Sequence, residues 1–134
     1  MPPNELADMA RASDVFVLPT RGEGFGIPLI EFQHAGCPTI TTDFAAGAEL
    51  CASGWLLDYE TEWSWQNSTV ARPGIASIVE RLDAAYAERG NIERRRQAAD
   101  FARSFEIDYV VSKYLAPILE TIAEQAILDV RVAA

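Results

Sequence analysis

The chain has 134 residues, 49% of them hydrophobic, and a formal net charge of −9 at pH 7. This length allows one modest core, and the acidic balance argues against nucleic acid or an anionic membrane surface as a partner. No apolar run is long enough to span a membrane, no signal-peptide pattern opens the chain, and Cys37 and Cys51 are isolated thiols. We therefore expect a cytoplasmic chain with reduced cysteines.

The first predicted elements alternate between helix and strand. Asn4 is expected to cap a helix over residues 5–12. The apolar run 15–18 predicts a buried strand, which stops at a proline. A loop with three glycines over residues 20–26 then leads into a second helix over 27–35.

The pattern continues with a strand over 38–42, a short helix over 45–51 and a third strand over 54–58. A strand–loop–helix–strand order is typical of a parallel sheet. The sequence therefore predicts an α/β fold with a parallel sheet of about three strands and flanking helices.

Residues 59–73 do not continue this pattern. Within them Trp63 and Trp65 alternate with polar residues. Two roles are open for these indoles. They could cover the open end of the sheet by packing, which is the commoner role of tryptophan, or they could form an aromatic wall for an acceptor sugar.

Three helical patterns complete the chain. The first ends at Gly90, and the second begins after the capping residue Asn91. The charged run 93–96 opens that second helix, and a solvated face is expected there in preference to an anion site. The last pattern covers 107–128, where Pro117 should kink or divide the helix.

The glycine-rich loop carries the most specific chemistry. Gly24 and Gly26 allow the backbone to approach a ligand without an intervening Cβ. The helix that follows has free N–H groups at its start, which suit a phosphate, and Pro28 occupies the first turn without losing a hydrogen bond. Glu23 precedes the helix and Glu31 lies inside it, so two carboxylates flank an anion site. A nucleotide sugar, with hydroxyls at both ends and a diphosphate between them, matches this arrangement.

The stretch from Glu23 to Glu31 resembles the E-x7-E motif of retaining GT-B glycosyltransferases, in the glycogen-synthase-like and mannosyltransferase-like group of the family-4 type. The surroundings are also similar: Pro-Thr precedes the loop, Gly-Phe-Gly and Pro28 follow the first glutamate, and a Gly-x-Pro element follows the helix. The resemblance covers residues 1–60 clearly and the last helices loosely. It implies a partial doubly wound, Rossmann-like sheet. Residues 1–134 would be a single partial domain, the C-terminal donor-binding part, without the N-terminal acceptor domain.

The resemblance implies a role for each motif residue in retaining transfer of a hexose from a nucleotide-sugar donor. Glu23 would be the catalytic-site carboxylate, accepting hydrogen bonds from sugar hydroxyls beside the reacting face. Glu31 would bind the ribose hydroxyls. The sugar and diphosphate would be held by the backbone and helix start between them, formed by Gly24, Phe25, Gly26, Ile27, Pro28 and Leu29.

Three further residues are candidate donor contacts: Thr20, Arg21 and Glu49. For Glu49, a solvated helix charge is an equally good interpretation. The family chemistry implies no cofactor and no metal ion. His34 follows Glu31 by three residues, but no further ligands stand at a metal spacing, so a structural or solvent-facing histidine is expected.

The resemblance also implies what this sequence lacks. In the family, an arginine and a lysine upstream of the motif stabilise the diphosphate leaving group, whereas here Arg21 is the only nearby cation. A single electrostatic contact of this kind can contribute roughly 2.7–4 kcal/mol to transition-state stabilisation. We therefore expect that the isolated chain does not transfer sugar.

A second consequence concerns partners. In the family the strand at 14–18 pairs on both sides, so here one of its edges would be bare and apolar. The missing N-terminal domain or a second copy of the chain should cover it, and we expect a homodimer joined through that edge or through swapped helices. The alternative function is a non-catalytic GT-B-like module used for oligomeric assembly.

Overall fold

The computed structural model describes the backbone of residues 3–132 and the side chains of residues 5–126. It divides into two compact units, Met1–Ala102 and Arg103–Ala134. This division describes only how the residues pack within each unit. The assignment of residues 1–134 to a single partial domain stays a prediction.

The first unit is built on a parallel sheet of three strands. They are β1 (Phe16–Leu18), β2 (Thr39–Thr42) and β3 (Trp55–Leu57), in the order β1-β2-β3. The register pairs Val17 with Ile40, and Ile40 in turn with Trp55. All four residues of β2 are buried, as expected for the middle strand of a covered parallel sheet. The three predicted strands are confirmed, each slightly shorter than the apolar run that indicated it.

Five helices belong to this part of the chain: α1 (Pro3–Ala12), α2 (Ile27–His34), α3 (Ala46–Leu50), α4 (Ile75–Ala87) and α5 (Ile92–Arg103). The predicted cap at Asn4 is wrong, because α1 already begins at Pro3, a residue whose fixed φ suits a first helical position. Gly36 stops α2 by adopting a left-handed conformation with φ 76°.

The sheet is covered on both faces. On one face Phe16 stacks on Phe32 of α2 with ring centroids 4.0 Å apart, and Ala10 of α1 packs beside them. On the other face Ala85 of α4 packs against the buried residues of β2 and β3, with Val17 next to them. Because neighbouring residues of β1 point to opposite faces, the strand serves both clusters. The predicted α/β class with a partial Rossmann-like sheet is confirmed.

The charged turn at the start of α5 is solvated only in part, since Glu93 and Arg96 are exposed whereas Arg94 and Arg95 are half-buried. Arg94 donates a hydrogen bond to the carbonyl of Ser53 at 2.7 Å. Arg95 donates to the carbonyls of Ser13 at 2.9 Å and Arg11 at 2.9 Å. The expectation of solvation is therefore confirmed for Glu93 and Arg96 and wrong for Arg94 and Arg95, because the latter two guanidinium groups satisfy main-chain carbonyls at the ends of distant elements.

Residues 59–73 form an antiparallel hairpin of β4 (Tyr59–Trp63) and β5 (Thr69–Pro73). The sequence did not indicate these strands, because their exposed faces carry polar residues and the turn contains no glycine. The turn is closed by the N–H of Asn67, which donates to the carbonyl of Ser64 at 3.1 Å. Asn67 takes the left-handed conformation, φ 62°, which asparagine tolerates better than most residues.

The second unit is helical. It contains α6 (Ile107–Val110), a π-helical turn at Val111–Leu115, and α7 (Ala116–Val132). The predicted disturbance at Pro117 therefore takes the form of a wider turn just before the proline. Such a turn accommodates a residue that has no N–H and whose ring crowds the preceding carbonyl. Within residues 3–132, no helix has both the length and the apolar character needed to cross a membrane.

One side of the first unit presents apolar groups to solvent. In the described sheet β1 lies at an edge and pairs with β2 alone. Val15 and Tyr86 line a shallow cavity of about 420 Å³ between the start of β1 and α4. The exposed apolar side chains of α4 recur at helical spacing and are Ile75, Val79, Leu82 and Tyr86.

We propose that this surface mediates self-association, and we predict a dimer in sedimentation velocity at tens of micromolar protein. The variant Tyr86→Glu should shift the distribution toward monomer, because a carboxylate is costly to bury in an apolar contact. The variant Ile122→Glu, at an exposed position of α7, tests the alternative route through exchanged C-terminal helices. A clean monomer of the unmodified chain would contradict both routes.

Candidate functional site

The motif loop lies beyond the carboxyl end of β1. There the N–H of Gly22 donates to Thr20 Oγ1 at 3.2 Å, and that hydroxyl donates to the carbonyl of Gly22 at 3.0 Å. The hydroxyl of Thr42, at the end of β2, donates to the carbonyl of Thr20 at 2.6 Å. Thr20 therefore shapes and anchors the loop. Ligands of open parallel α/β sheets bind at this end of the strands.

The two glycines of the motif have different surroundings. A Cβ added at Gly24 would have no heavy atom within 4 Å, so the backbone there is open to a ligand. Gly26 adopts φ 82°, and a Cβ there would lie 3.1 Å from Glu23 Cγ and 3.1 Å from Leu29 Cδ1. The missing side chain of Gly26 therefore allows Glu23 to lie directly against the start of α2.

The start of α2 is open to a ligand. Gly26 is its N-cap and, as a glycine, supplies no side-chain hydrogen bond to the first turn. The carbonyl of Gly26 accepts the N–H of Leu29 at 2.9 Å, while Pro28 in the first turn has no N–H. The helix macrodipole and the uncapped first turn favour an anion here.

The exposure pattern of α2 places Glu31 on the same side as this first turn. Ile27 and Pro28 are exposed, Leu29 is fully buried, and Glu31 is exposed again. Residues three and four apart share a helix face, so Glu31 lies one turn beyond Ile27 on the solvent side. Glu23 is half-buried at the opposite end of the loop.

Glu49 is exposed on α3, a helix fixed by a buried glutamine. Gln33 Nε2 donates to the carbonyl of Leu50 at 2.6 Å, and Gln33 Oε1 accepts the N–H of Ala52 at 3.2 Å. This side chain ties α2 to the end of α3. The sequence did not identify Gln33, since a lone polar residue in a helical pattern gives no sign of such long-range partners.

The hairpin contributes residues that sequence reasoning did not assign to this region. Arg21 forms an ion pair with Glu62 of β4, and Arg72 Nε lies 3.6 Å from the same carboxylate. Trp63 and Trp65 are 69% and 92% exposed, so the packing interpretation of the two indoles is wrong. The guanidinium of Arg21 is thus engaged by a carboxylate next to the motif loop.

The remaining reactive groups are the two cysteine thiols and the side chains that can ligate metals. Burial raises the pKa of the Cys37 thiol to about 11 and also raises the pKa of the Cys51 thiol. Both groups are therefore protonated near neutral pH and are poor nucleophiles. Among the described residues, no group of three or more His, Cys, Asp or Glu side chains is placed to hold a metal ion. His34 lies exposed in the last turn of α2.

Comparison with known proteins gives consistent matches. A family described as glycosyl transferases group 1 matches residues 2–84. The lipopolysaccharide core biosynthesis mannosyltransferase LpsB of Rhizobium meliloti is 43% identical over 49 residues, covering 37% of this chain and 14% of that protein. The D-inositol 3-phosphate glycosyltransferase of Rhodococcus opacus is 30% identical over 115 residues, covering 84% of this chain and 24% of that protein.

A further D-inositol 3-phosphate glycosyltransferase, from Corynebacterium urealyticum, is 35% identical over 71 residues, covering 50% of this chain and 16% of that protein. The chain thus spans a quarter or less of the length of these relatives. No solved structure matches the chain significantly.

The two motif glycines allow a matched test of the loop geometry. Gly26→Ala should reduce the free energy of unfolding by about 1–3 kcal/mol, because alanine is strained at a positive φ and its methyl group contacts Glu23 and Leu29. Gly24→Ala should change it by less than about 0.5 kcal/mol, because its methyl group enters open space. Urea unfolding of both variants measures the difference. Equal stability of the two would contradict the loop conformation.

Proposed function

Because this chain belongs to the glycosyl transferases group 1 family, we propose that its motif loop and α2 bind the nucleotide-sugar donor for retaining transfer of a hexose. The resemblance to GT-B glycosyltransferases of the family-4 type is confirmed at the level of the family. The observation that carries the proposal is the uncapped start of α2, with an open glycine on one side and Glu31 on the other.

Each part of this surface suits one part of a nucleotide sugar. Pro28 has no N–H and the N–H of Leu29 is bonded to the carbonyl of Gly26, so the first turn offers the diphosphate the N–H of Ile27 and the helix dipole. The backbone around Gly24 leaves room for the sugar, and Glu23 can accept hydrogen bonds from the sugar hydroxyls. Glu31 lies four residues beyond Ile27, roughly 6 Å along the helix axis at 1.5 Å per residue, and can accept hydrogen bonds from the ribose hydroxyls. Hydrogen bonds to charged groups contribute about 1.5–3 kcal/mol each.

Local electrostatics oppose tight binding of the diphosphate. Glu23 and Glu31 add negative charge beside the anion site, and Arg21 is paired with Glu62. The helix terminus is then the main source of positive potential among the described residues of the loop, and it contributes only about 0.3–1 kcal/mol when exposed. We therefore propose that donor binding by these residues alone is weak and that transfer needs cations supplied from elsewhere.

Nucleotide titration tests the proposal. UDP, GDP and their hexose conjugates are added to the protein, and binding is followed by calorimetry and by the fluorescence of the tryptophans near the loop. We expect Glu31→Ala to weaken binding roughly tenfold or more, because it removes a charged hydrogen bond to the ribose. Glu5→Ala, at an exposed helical position of α1, is the matched control and should bind as the parent does.

The outcomes separate two functions. Binding that is lost in Glu31→Ala and kept in Glu5→Ala supports donor recognition. No response to any nucleotide would contradict it and would favour a non-catalytic assembly module, for which the bare edge of β1 is the relevant surface. An equal loss in both variants would show that the effect does not come from the ribose contact.

Catalytic turnover provides a separate prediction. We expect no steady release of UDP or GDP from the matching nucleotide sugars by the isolated 134 residues with sugar acceptors present. The physical reason is the engaged guanidinium of Arg21, which leaves the developing charge on the diphosphate uncompensated. Sustained, enzyme-dependent transfer of labelled sugar would overturn this expectation.

A further inference from the structure

A depression of about 650 Å³ lies between the motif loop and the β4–β5 hairpin. The loop contributes Arg21 and Glu23 to its lining, and the hairpin contributes Trp63 and Trp65. We propose that this depression binds a neutral saccharide, with the two indoles stacking on pyranose rings and Glu23 receiving hydroxyl hydrogen bonds.

The hairpin is held firmly against the motif loop. The N–H of Ala71, in β5, donates to the carbonyl of Arg21 at 2.8 Å. At the tip, the N–H of Ser64 donates to the carbonyl of Ser68 at 2.9 Å, and the left-handed Asn67 completes the turn. The hairpin backbone that carries the two indoles is therefore tied to the motif loop without a ligand, which lowers the backbone entropy lost on binding.

The indoles are the strongest indication of a ligand. Trp63 is 69% exposed and Trp65 is 92% exposed, although tryptophan carries one of the largest apolar surfaces of any side chain. The third tryptophan is different, since the guanidinium of Arg94 lies 4.3 Å from the ring centroid of Trp55. The negative π-face of an indole attracts groups with positive edges, and the C–H face of a pyranose is such a group.

The charges around the depression favour a neutral ligand. Glu62 is shared between Arg21 and Arg72, and Arg72 also forms an ion pair with Glu60, so the two arginines and two glutamates compensate one another. Glu23 remains as a carboxylate, which repels anions and accepts hydrogen bonds from hydroxyls. The rest of the hairpin lining supplies uncharged hydroxyl and amide groups from Ser64, Gln66, Ser68 and Thr69.

Glu23 connects this depression to the donor loop, because its side chain lies against Gly26 at the start of α2. A saccharide on the two indoles would therefore lie beside the proposed donor sugar, in the position of an acceptor. The acceptor role rests on the proposed function, whereas binding of a saccharide to the hairpin does not.

The test uses the indole N–H signals of the three tryptophans in an NMR titration. Maltotriose, cellotriose and α-linked mannotriose are the neutral probes, and glucose 6-phosphate is the anionic comparison. We expect saturable shifts of the Trp63 and Trp65 signals with at least one neutral probe, little change for Trp55, and weaker binding of the phosphate. Trp65→Ala should weaken saccharide binding tenfold or more, and Trp65→Phe should restore part of it.

Each result has a defined meaning. No saturable shift of either hairpin indole with any neutral probe would overturn the proposal, as would equal shifts of all three tryptophans or unchanged affinity in Trp65→Ala. UDP is titrated into the same sample and followed at the amides of α2. Saccharide binding without UDP binding supports the saccharide site and removes its acceptor role. UDP binding without saccharide binding contradicts this inference and leaves the donor proposal standing.

Discussion

The left-handed conformation of Gly26 is the constraint on which the candidate site depends. At φ 82° the chain turns from the loop into α2 without a side chain, and Glu23 Cγ lies 3.1 Å from the position that a Cβ would take. The same residue serves as an N-cap that has no side chain to hydrogen-bond the first turn. One glycine thus positions an acidic group and leaves the helix terminus open to an anion.

The distribution of charge at this site would be unusual for a surface that binds a diphosphate. The loop carries one carboxylate of the motif, Glu23, and α2 carries the other, Glu31, while the nearby guanidinium of Arg21 is paired with Glu62 of the hairpin. The arrangement suits hydroxyl groups better than phosphates, apart from the helix start itself. Under the proposed function, the two carboxylates would accept hydrogen bonds from the hydroxyls of the sugar and the ribose, and stabilisation of the leaving group would require cations from another source.

Much of the first unit could be predicted from its sequence because its signals are local. The apolar runs that became β1, β2 and β3 and the glycine-bounded helix α2 each carry their own pattern. The hairpin has no apolar run of this kind, because most residues of its two five-residue strands are exposed. Its turn depends on a left-handed Asn67, which a sequence pattern does not reveal. The exposure of Trp65 and the carbonyl partners of Arg94 also depend on tertiary structure, which residue spacing does not encode.

An anion at the open start of α2 would contact main-chain N–H groups, so the most direct measurement observes those groups. The amide NMR spectrum of the labelled chain is recorded during titration with UDP and with GDP. We predict that the largest saturable shifts fall on Gly24, Phe25 and Ile27, at the loop and the open start of α2. Saturable binding that leaves these amides unmoved and shifts signals elsewhere would contradict it.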